Sequence, residues 1–383
     1  IHLKGSGRTP FSRGGDGRAW LGPVLREYIL SEAMYALGIP TTGSLAAVAT
    51  GESVLREAGA LPGAVLTRIA HSHVRVGTFE YFQARQDTDG LRLLADYVLA
   101  RHFPEAQASD QPYRALLDAV ITRQAELVAR WLAIGFIHGV MNTDNMSIVG
   151  ETIDYGPCAF MDAYDPHQVY SSIDQHGRYA YHNQPPIAQW NLARLAQALL
   201  PLLDPDPALA IDKAQAAIDG FVPAFEQSYL TCFRAKLGLL EEHSDDAELI
   251  AGLLRLMATT GADFTNTFFA LNNAAEGEEA SLQAQLGEEA SSDAWRVRWQ
   301  ARLAREEIAP EARATLMRQA NPSLIPRNHL VEAALDAAVA GDLEPFESLL
   351  QALAQPWNPD PRFDAFRRPP APHEVVRQTF CGT

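Results

Sequence analysis

Apolar positions along the chain change their spacing twice, and the changes mark out different kinds of structure. Between residues 23 and 37, Val24, Leu25, Tyr28, Ile29, Ala33, Met34 and Leu37 fall near helical spacing, and Gly38 with Pro40 stops the helix. Two short apolar or β-branched runs follow at 44–49 and 64–69, split by a connection carrying glycine and proline, and they predict two strands. Ahead of them, Gly5, Gly7, Gly14, Gly15 and Gly17 interleave with Arg8, Arg13 and Arg18 around Pro10, a run that cannot be a regular helix. The opening thus reads as strand, glycine loop, helix, strand, strand. From about Gly90 the period is helical. Leu116, Leu117, Val120, Ile121, Leu127, Val128, Trp131 and Leu132 predict one long amphipathic helix ending near Gly135. Helical periodicity resumes after Pro186 and runs to about Leu353. Residues 274–293, rich in Glu, Gly and Ser, predict a solvated loop or short exposed helix, and the Pro/Arg-rich tail 356–372 an extended segment. The fold class is α+β: a small mixed α/β lobe, then a large helical one, with a crevice between them as the place for a site.

Composition narrows the function classes. Among 383 residues, 47 are acidic and 31 basic, a formal net charge of −16 that argues against general affinity for nucleic acid or anionic membrane. No apolar run approaches the ~20 residues of a spanning helix, and the start at Ile1 has neither an initiator Met nor a signal-peptide core. Three scattered cysteines, Cys158, Cys232 and Cys381, make neither a disulfide framework nor a zinc site. A cytoplasmic monomer with no nucleic-acid or membrane partner is expected.

The chemistry concentrates between residues 136 and 165. His138-Gly139-Val140-Met141-Asn142-Thr143-Asp144-Asn145 and Asp154-Tyr155-Gly156-Pro157 are polar clusters behind apolar stubs, a strand–turn–strand layout in which Asn145 and Asp154 face one point. One amide and one carboxylate oxygen suit Mg²⁺ held mainly through substrate phosphates; taken singly, each cluster is equally a turn. Their order matches the phosphoryl-transfer template, with Asn145 in register with the metal-binding Asn and Asp154 in place of the Asp-Phe-Gly aspartate. Lys4 then stands for the phosphate-holding lysine and Glu27 for its helical partner, with Glu32, on another helical face, as rival. Val140 occupies the place of the catalytic aspartate and cannot accept a proton, which leaves Asp144 as the only acidic side chain of this loop. Either the protein is inert or its base has moved. The glycine–arginine run after Lys4 offers backbone and guanidinium groups to phosphates, and Arg68 and Arg75 are spaced to reach a triphosphate from across the crevice. His71 and His73, which alternate on one predicted strand face without a third ligand, read as structural.

Leu3-Lys4-Gly5-Ser6-Gly7-Arg8-Thr9-Pro10-Phe11-Ser12-Arg13, Gly15-Asp16-Gly17-Arg18-Ala19, Ser31-Glu32-Ala33-Met34, the run from His138 to Ser147 with Asp154-Tyr155-Gly156-Pro157, and Gln175-His176-Gly177-Arg178-Tyr179 together resemble the selenoprotein O family, protein adenylyltransferases of pseudokinase fold. The resemblance implies a protein-kinase-like two-lobed fold: an N-lobe at 1–85, a C-lobe core at 86–200, and a helical C-terminal extension with its tail at 201–383. It implies ATP bound flipped relative to kinases, Mg²⁺ (or Mn²⁺), and transfer of AMP to Ser, Thr or Tyr hydroxyls of protein substrates with release of pyrophosphate. By this carry-over Asp144 is the proton acceptor and Asn145 and Asp154 are metal ligands. Lys4, Asp16, Gly17, Arg68 and Arg75 contact the nucleotide, and Glu27 pairs with Lys4. UMP transfer from UTP, γ-phosphoryl transfer and an inert nucleotide-binding scaffold are the alternatives. The first strands and glycine-rich segment of such a lobe are expected upstream of Ile1. Cys381 falls where eukaryotic members carry selenocysteine; with no cysteine in the loop His167-Gln168-Val169-Tyr170-Ser171-Ser172, an unpaired thiol is expected.

Overall fold

The computed structural model describes residues 1–12, 14–57 and 59–380; Arg13 and Cys381, both singled out by the sequence, lie outside the described residues. The chain is α+β. Its larger sheet has four strands, β1 (His2–Lys4), β2 (Ala19–Trp20), β3 (Gly43–Arg56) and β4 (Gly59–Ile69), all paired antiparallel to β4. Lys4 lies opposite Leu66 and Ala19 opposite Ala64, while β3 takes the other edge of β4. So β1 and β2 are two halves of one strand line, and residues 5–18 leave that line and rejoin it. Gly7 N–H donates to the Gly17 carbonyl at 3.0 Å to close the neck of this excursion. A Cβ on Gly17 (φ +66°) would lie 2.1 Å from the Gly7 oxygen, so glycine is required there.

The expected strands at 44–49 and 64–69 are only the inner half of a hairpin whose pairing continues to Arg56 and Gly59, with register shifts between Ser44 and Ala46 and between Ala49 and Ser53. The outer half is largely exposed, with Val54 its only buried residue on β3, so no regular alternation of apolar residues marks it as strand. Helix α1 (Leu21–Ala36) follows β2 directly and packs on the inner half through Val24 and partly buried Tyr28.

Helices α2 (Val76–Ala84), α3 (Thr88–His102), α4 (Pro104–Gln107) and α5 (Pro112–Ala133) come next, α5 being the long amphipathic helix with its predicted apolar stripe buried. The strand–turn–strand layout forms with different strands. Short β5 (Phe136–Ile137) pairs with β6 (Ala159–Phe160), Phe136 opposite Phe160. The apolar stubs at 146–148 and 152–153 instead make single bridges to other elements, Ser147 to Arg75 and Thr152 to Thr41.

The remaining helices are α6 (Gln184–Leu203), α7 (Pro207–Ile218), α8 (Phe221–Lys236), α9 (Asp246–Thr260), α10 (Phe264–Ala275), α11 (Ala280–Leu286), α12 (Ala290–Leu303), α13 (Pro310–Ala320), α14 (Asn328–Val339) and α15 (Glu344–Leu353). Two expectations need adjusting here. Residues 274–293 are mostly exposed, as expected, and include the short helix α11, but it buries Leu282 and Leu286 completely in the second apolar cluster. The tail is not simply extended: Trp357 Nε1 donates to the Ala36 carbonyl at 3.0 Å, and Pro361–Arg367 winds into a 3₁₀ turn. One apolar cluster draws on α1, α5, α6, α14 and α15 together, and a second on α8 to α13. Among the described residues, no helix is long and apolar enough to cross a membrane.

Within the second cluster, Lys236 is 2% exposed, with its ammonium 4.3 Å from the Phe268 ring centroid and one hydrogen bond, to the Ala320 carbonyl at 3.1 Å. Burial pulls it down to about 7. The unfolded chain therefore holds this proton between about pH 7 and 10 where the folded one has released it, so the penalty of burying Lys236 is relieved as pH rises through that window. Thermal unfolding of wild type and Lys236→Met should differ most at pH 6.5, with the variant more stable, and converge toward pH 10. A pH-independent difference would refute the assignment.

Candidate active site

Period-two geometry sets the first two groups. Lys4 on β1 faces Leu66 on β4, and Arg68 lies two residues beyond Leu66, so both cations project from the same side of the sheet, toward α1. There, Glu27 meets both: its carboxylate accepts from Lys4 Nζ at 2.5 Å and from Arg68 Nη2. Glu32, the rival partner, turns away to the backbone N–H of Ser44 at 3.5 Å.

Asp154 meets the same two cations. Its Oδ1 accepts from Lys4 Nζ at 2.9 Å and from Arg68 Nη2 at 2.6 Å, and Arg75 Nη1 lies 2.9 Å from its Oδ2. Asp154 holds a left-handed backbone (φ +66°), uncommon outside glycine and least unfavourable for Asp and Asn. Burial pushes the Asp154 carboxyl up, but Lys4, Arg68 and Arg75 outweigh it and hold the group well below the ordinary carboxylate range. Glu27 follows the same logic, with burial opposed by Arg68 and Lys4 and a net fall. Three cations against two carboxylates leave this cluster at +1, although the whole chain is strongly acidic. Arg68 keeps Nε and Nη1 buried and unpartnered.

Asp144 sits in a single 3₁₀ turn, Thr143–Asn145, and its own N–H donates to the Asn142 side chain at 2.9 Å. Arg75 Nη1 also donates to the Asp144 main-chain carbonyl at 2.6 Å, so one guanidinium spans Asp144 and Asp154. The Asp144 carboxylate lies against the first turn of α2, so close that a Cβ on Gly77 would be 2.2 Å from Oδ1. Asn145 donates Nδ2 to the Val140 carbonyl at 3.0 Å, so its amide oxygen is the atom that could face a cation. An amide oxygen and a carboxylate are a donor set that fits a hard divalent cation completed by phosphate oxygens.

Asp16 and Gly17 are not brought into this group. The Asp16 carboxylate takes Arg56 Nη1 at 3.0 Å and the Arg18 N–H at 2.9 Å, and Gly17 closes the neck of its loop. Arg8 spends two donors on the loop's own carbonyls, Gly15 and Gly14. His71 and His73 lie beyond the end of β4. His71 contacts Glu151; His73 tilts against His2 at 5.6 Å, and burial lowers its ring to about 4. Among the described residues no group of three His, Cys, Asp or Glu is placed to hold a metal. Cys158 is buried and its thiol pushed up to about 12, far from a reactive thiolate.

Buried polar struts support both loops. His138 donates Nε2–H to the Ile153 carbonyl at 2.9 Å, in the tautomer whose Nδ1 accepts from Val140 N–H, and burial lowers its pKa so that it is neutral near pH 7. Gln184 bridges His138 N–H and the Phe136 carbonyl, Asn191 reaches the Met141 carbonyl, and Gln124 the Ser147 carbonyl, each at 3.0 Å or less. The sequence places His138 in the polar cluster but assigns no supporting role to Gln184, Asn191 or Gln124. Their only signal was polarity inside an apolar stripe, as at Gln124 between Ile121 and Leu127.

A family model described as protein adenylyltransferase SelO matches residues 1–354. A protein nucleotidyltransferase YdiU from Rhizobium etli (strain CIAT 652) is 58% identical over 386 residues, covering 100% of this chain and 77% of the relative. Proteins of the same name from Bradyrhizobium sp. (strain BTAi1) and Methylorubrum populi are each 58% identical, covering 100% of this chain and 78% of their own. With the family model spanning nearly the whole sequence and relatives this similar along all of it, the chain belongs to the SelO family of protein adenylyltransferases and is an enzyme of nucleotidyl transfer.

Proposed function

We propose that this chain transfers AMP from ATP to Ser, Thr or Tyr hydroxyls of proteins, on a kinase-like two-lobed frame with ATP flipped so that its α-phosphate meets the acceptor. The observation that carries the reading is Arg75, whose guanidinium touches both Asp154 and Asp144. It ties the backbone of Asp144 to a cationic cluster suited to a triphosphate, which supports reading the Asp144 carboxylate as the base. In the reaction, the acceptor oxygen attacks the α-phosphorus, the α–β anhydride bond breaks, and pyrophosphate departs with the bonding pair. Asp144 takes the hydroxyl proton. Lys4, Arg68 and Arg75 bind and orient the phosphates, and Glu27 keeps Lys4 and Arg68 extended toward them. Asn145 and Asp154 would hold Mg²⁺ or Mn²⁺, which supplies charge neutralisation between the reacting phosphate and the leaving group. Asp16 and Gly17 belong to the same reading as nucleotide contacts, Asp16 exchanging its pair with Arg56 for the nucleotide.

The N-lobe at 1–85, C-lobe core at 86–200 and helical extension at 201–383 belong to the same proposal. One apolar cluster crosses all three, which favours a single rigid unit. Incubation with ATP labelled at the α- or the γ-phosphate tests the reading. Protein-bound label is expected from the α position alone. Label from the γ position alone would make the chain a kinase, and none from either a nucleotide-binding scaffold.

A further inference from the structure

We propose that Arg26 is a positioning residue for this site and the link through which the C-terminal helices hold it in shape. The inference rests on the reading of Asp154 as the carboxylate that faces metal and phosphates. Arg26 is on α1, next to Glu27, and only 4% exposed. All three of its nitrogens are used. Nε donates to the Gly156 carbonyl at 2.9 Å, Nη2 to the Cys158 carbonyl at 2.5 Å, and Nη1 to Glu332 Oε1 of α14 at 2.7 Å. Gly156 and Cys158 follow Asp154 by two and four residues, so the fork grips the backbone immediately after a residue in the left-handed region. Such a conformation persists where the surroundings over-determine it.

Adjacent positions of α1 thus act on the site from two sides. Glu27 holds Lys4 and Arg68, and Arg26 holds the turn that presents Asp154 to them. The helix in turn is set by the chain's far end. Leu25, Ile29 and Met34 share a core with Val331, Leu335 and Leu349, Tyr28 meets Phe346 edge-on at 5.9 Å, and Trp357 caps the Ala36 carbonyl. A planar fork can satisfy two carbonyls and a carboxylate at once, which a lysine ammonium at the same place cannot do.

The test uses the full chain in three variants: Arg26→Lys, Glu332→Gln and Asp154→Asn. Two readouts are taken: hydrogen exchange of amides 155–160 in the nucleotide-free protein, and AMP transfer against Mg²⁺ concentration. For Arg26→Lys, exchange in this segment should accelerate about tenfold and half-saturating Mg²⁺ rise by a comparable factor, the usual scale for groups that orient metal ligands. The KM for the acceptor protein should stay unchanged. Glu332→Gln should shift both readouts in the same direction by roughly threefold, since its pair is partly exposed. Wild-type exchange and metal dependence in folded Arg26→Lys would overturn the proposal. Should that variant not fold, the same result in Glu332→Gln would overturn it. If Asp154→Asn keeps wild-type transfer, the reading of Asp154 falls, while faster exchange in Arg26→Lys would still establish the clamp.

Discussion

Asp154→Asn is expected to reduce AMP transfer by about 10³-fold or more in kcat/KM, the scale seen when a group stabilising developing charge is removed. Asparagine keeps the size of the side chain and tolerates the left-handed backbone, so the loss would report the charge and not a refolded turn. Alanine would confound the two. A stability cost accompanies the catalytic one. Arg68 is 1% exposed and would retain Glu27 alone as carboxylate partner, so unfolding should ease by about 1–3 kcal/mol. That cost carries a pH signature. The folded Asp154 carboxyl titrates well below its unfolded value, so its contribution is fully present above the unfolded pKa and is lost as pH falls through the folded one. The stability gap between wild type and Asp154→Asn should be constant from about pH 8 to pH 5 and close below about pH 4. Near-normal transfer by a folded Asp154→Asn would remove Asp154 from the mechanism.

The parts of this site that a sequence can carry are those governed by short-range periodicity. Lys4 and Arg68 share a face because strands alternate, and Glu27 rather than Glu32 meets them because five residues turn a helix by well over a quarter circle. Asp144 and Asn145 were legible as a polar turn after a long amphipathic helix, since β5 and α5 could be bounded from their hydrophobicity. What stayed hidden depends on which strand a segment pairs with. Nothing in the glycine–arginine run says that it returns to its own strand line, because that is decided by β4, some sixty residues on. The Asp16 carboxylate meets Arg56 for the same reason: the outer hairpin that carries Arg56 is largely exposed and interrupted by Gly51 and Pro62, and gives no regular strand alternation. Arg26 is the clearest omission. In a helical pattern a single arginine beside an apolar stripe reads as solvent-facing, and only the fold reveals two carbonyls from 130 and 132 positions away beside it.

Asp144→Asn is the second large effect, and its pattern should differ from that of Asp154→Asn. With Val140 in the place where kinases carry their base, a proton leaving the acceptor hydroxyl needs another destination, and Asp144 is the acidic side chain of this loop. Removing a positioned base costs about 10²–10⁴-fold, and the loss should fall on kcat. Nucleotide affinity and half-saturating Mg²⁺ should stay within about threefold of wild type, because Lys4, Arg68 and Arg75 each bond Asp154 directly and Arg75 also takes the Asp144 main-chain carbonyl, which the substitution keeps. The substitution is also nearly isosteric, which matters at a carboxylate packed against Gly77 with no room for a methyl group. Single-turnover transfer with saturating ATP, alongside equilibrium nucleotide binding, separates the two variants: Asp154→Asn should lose metal-dependent binding and transfer together, Asp144→Asn transfer alone. An Asp144→Asn enzyme that turns over at the wild-type rate would leave the proton to solvent or to the leaving group and would strip Asp144 of its role.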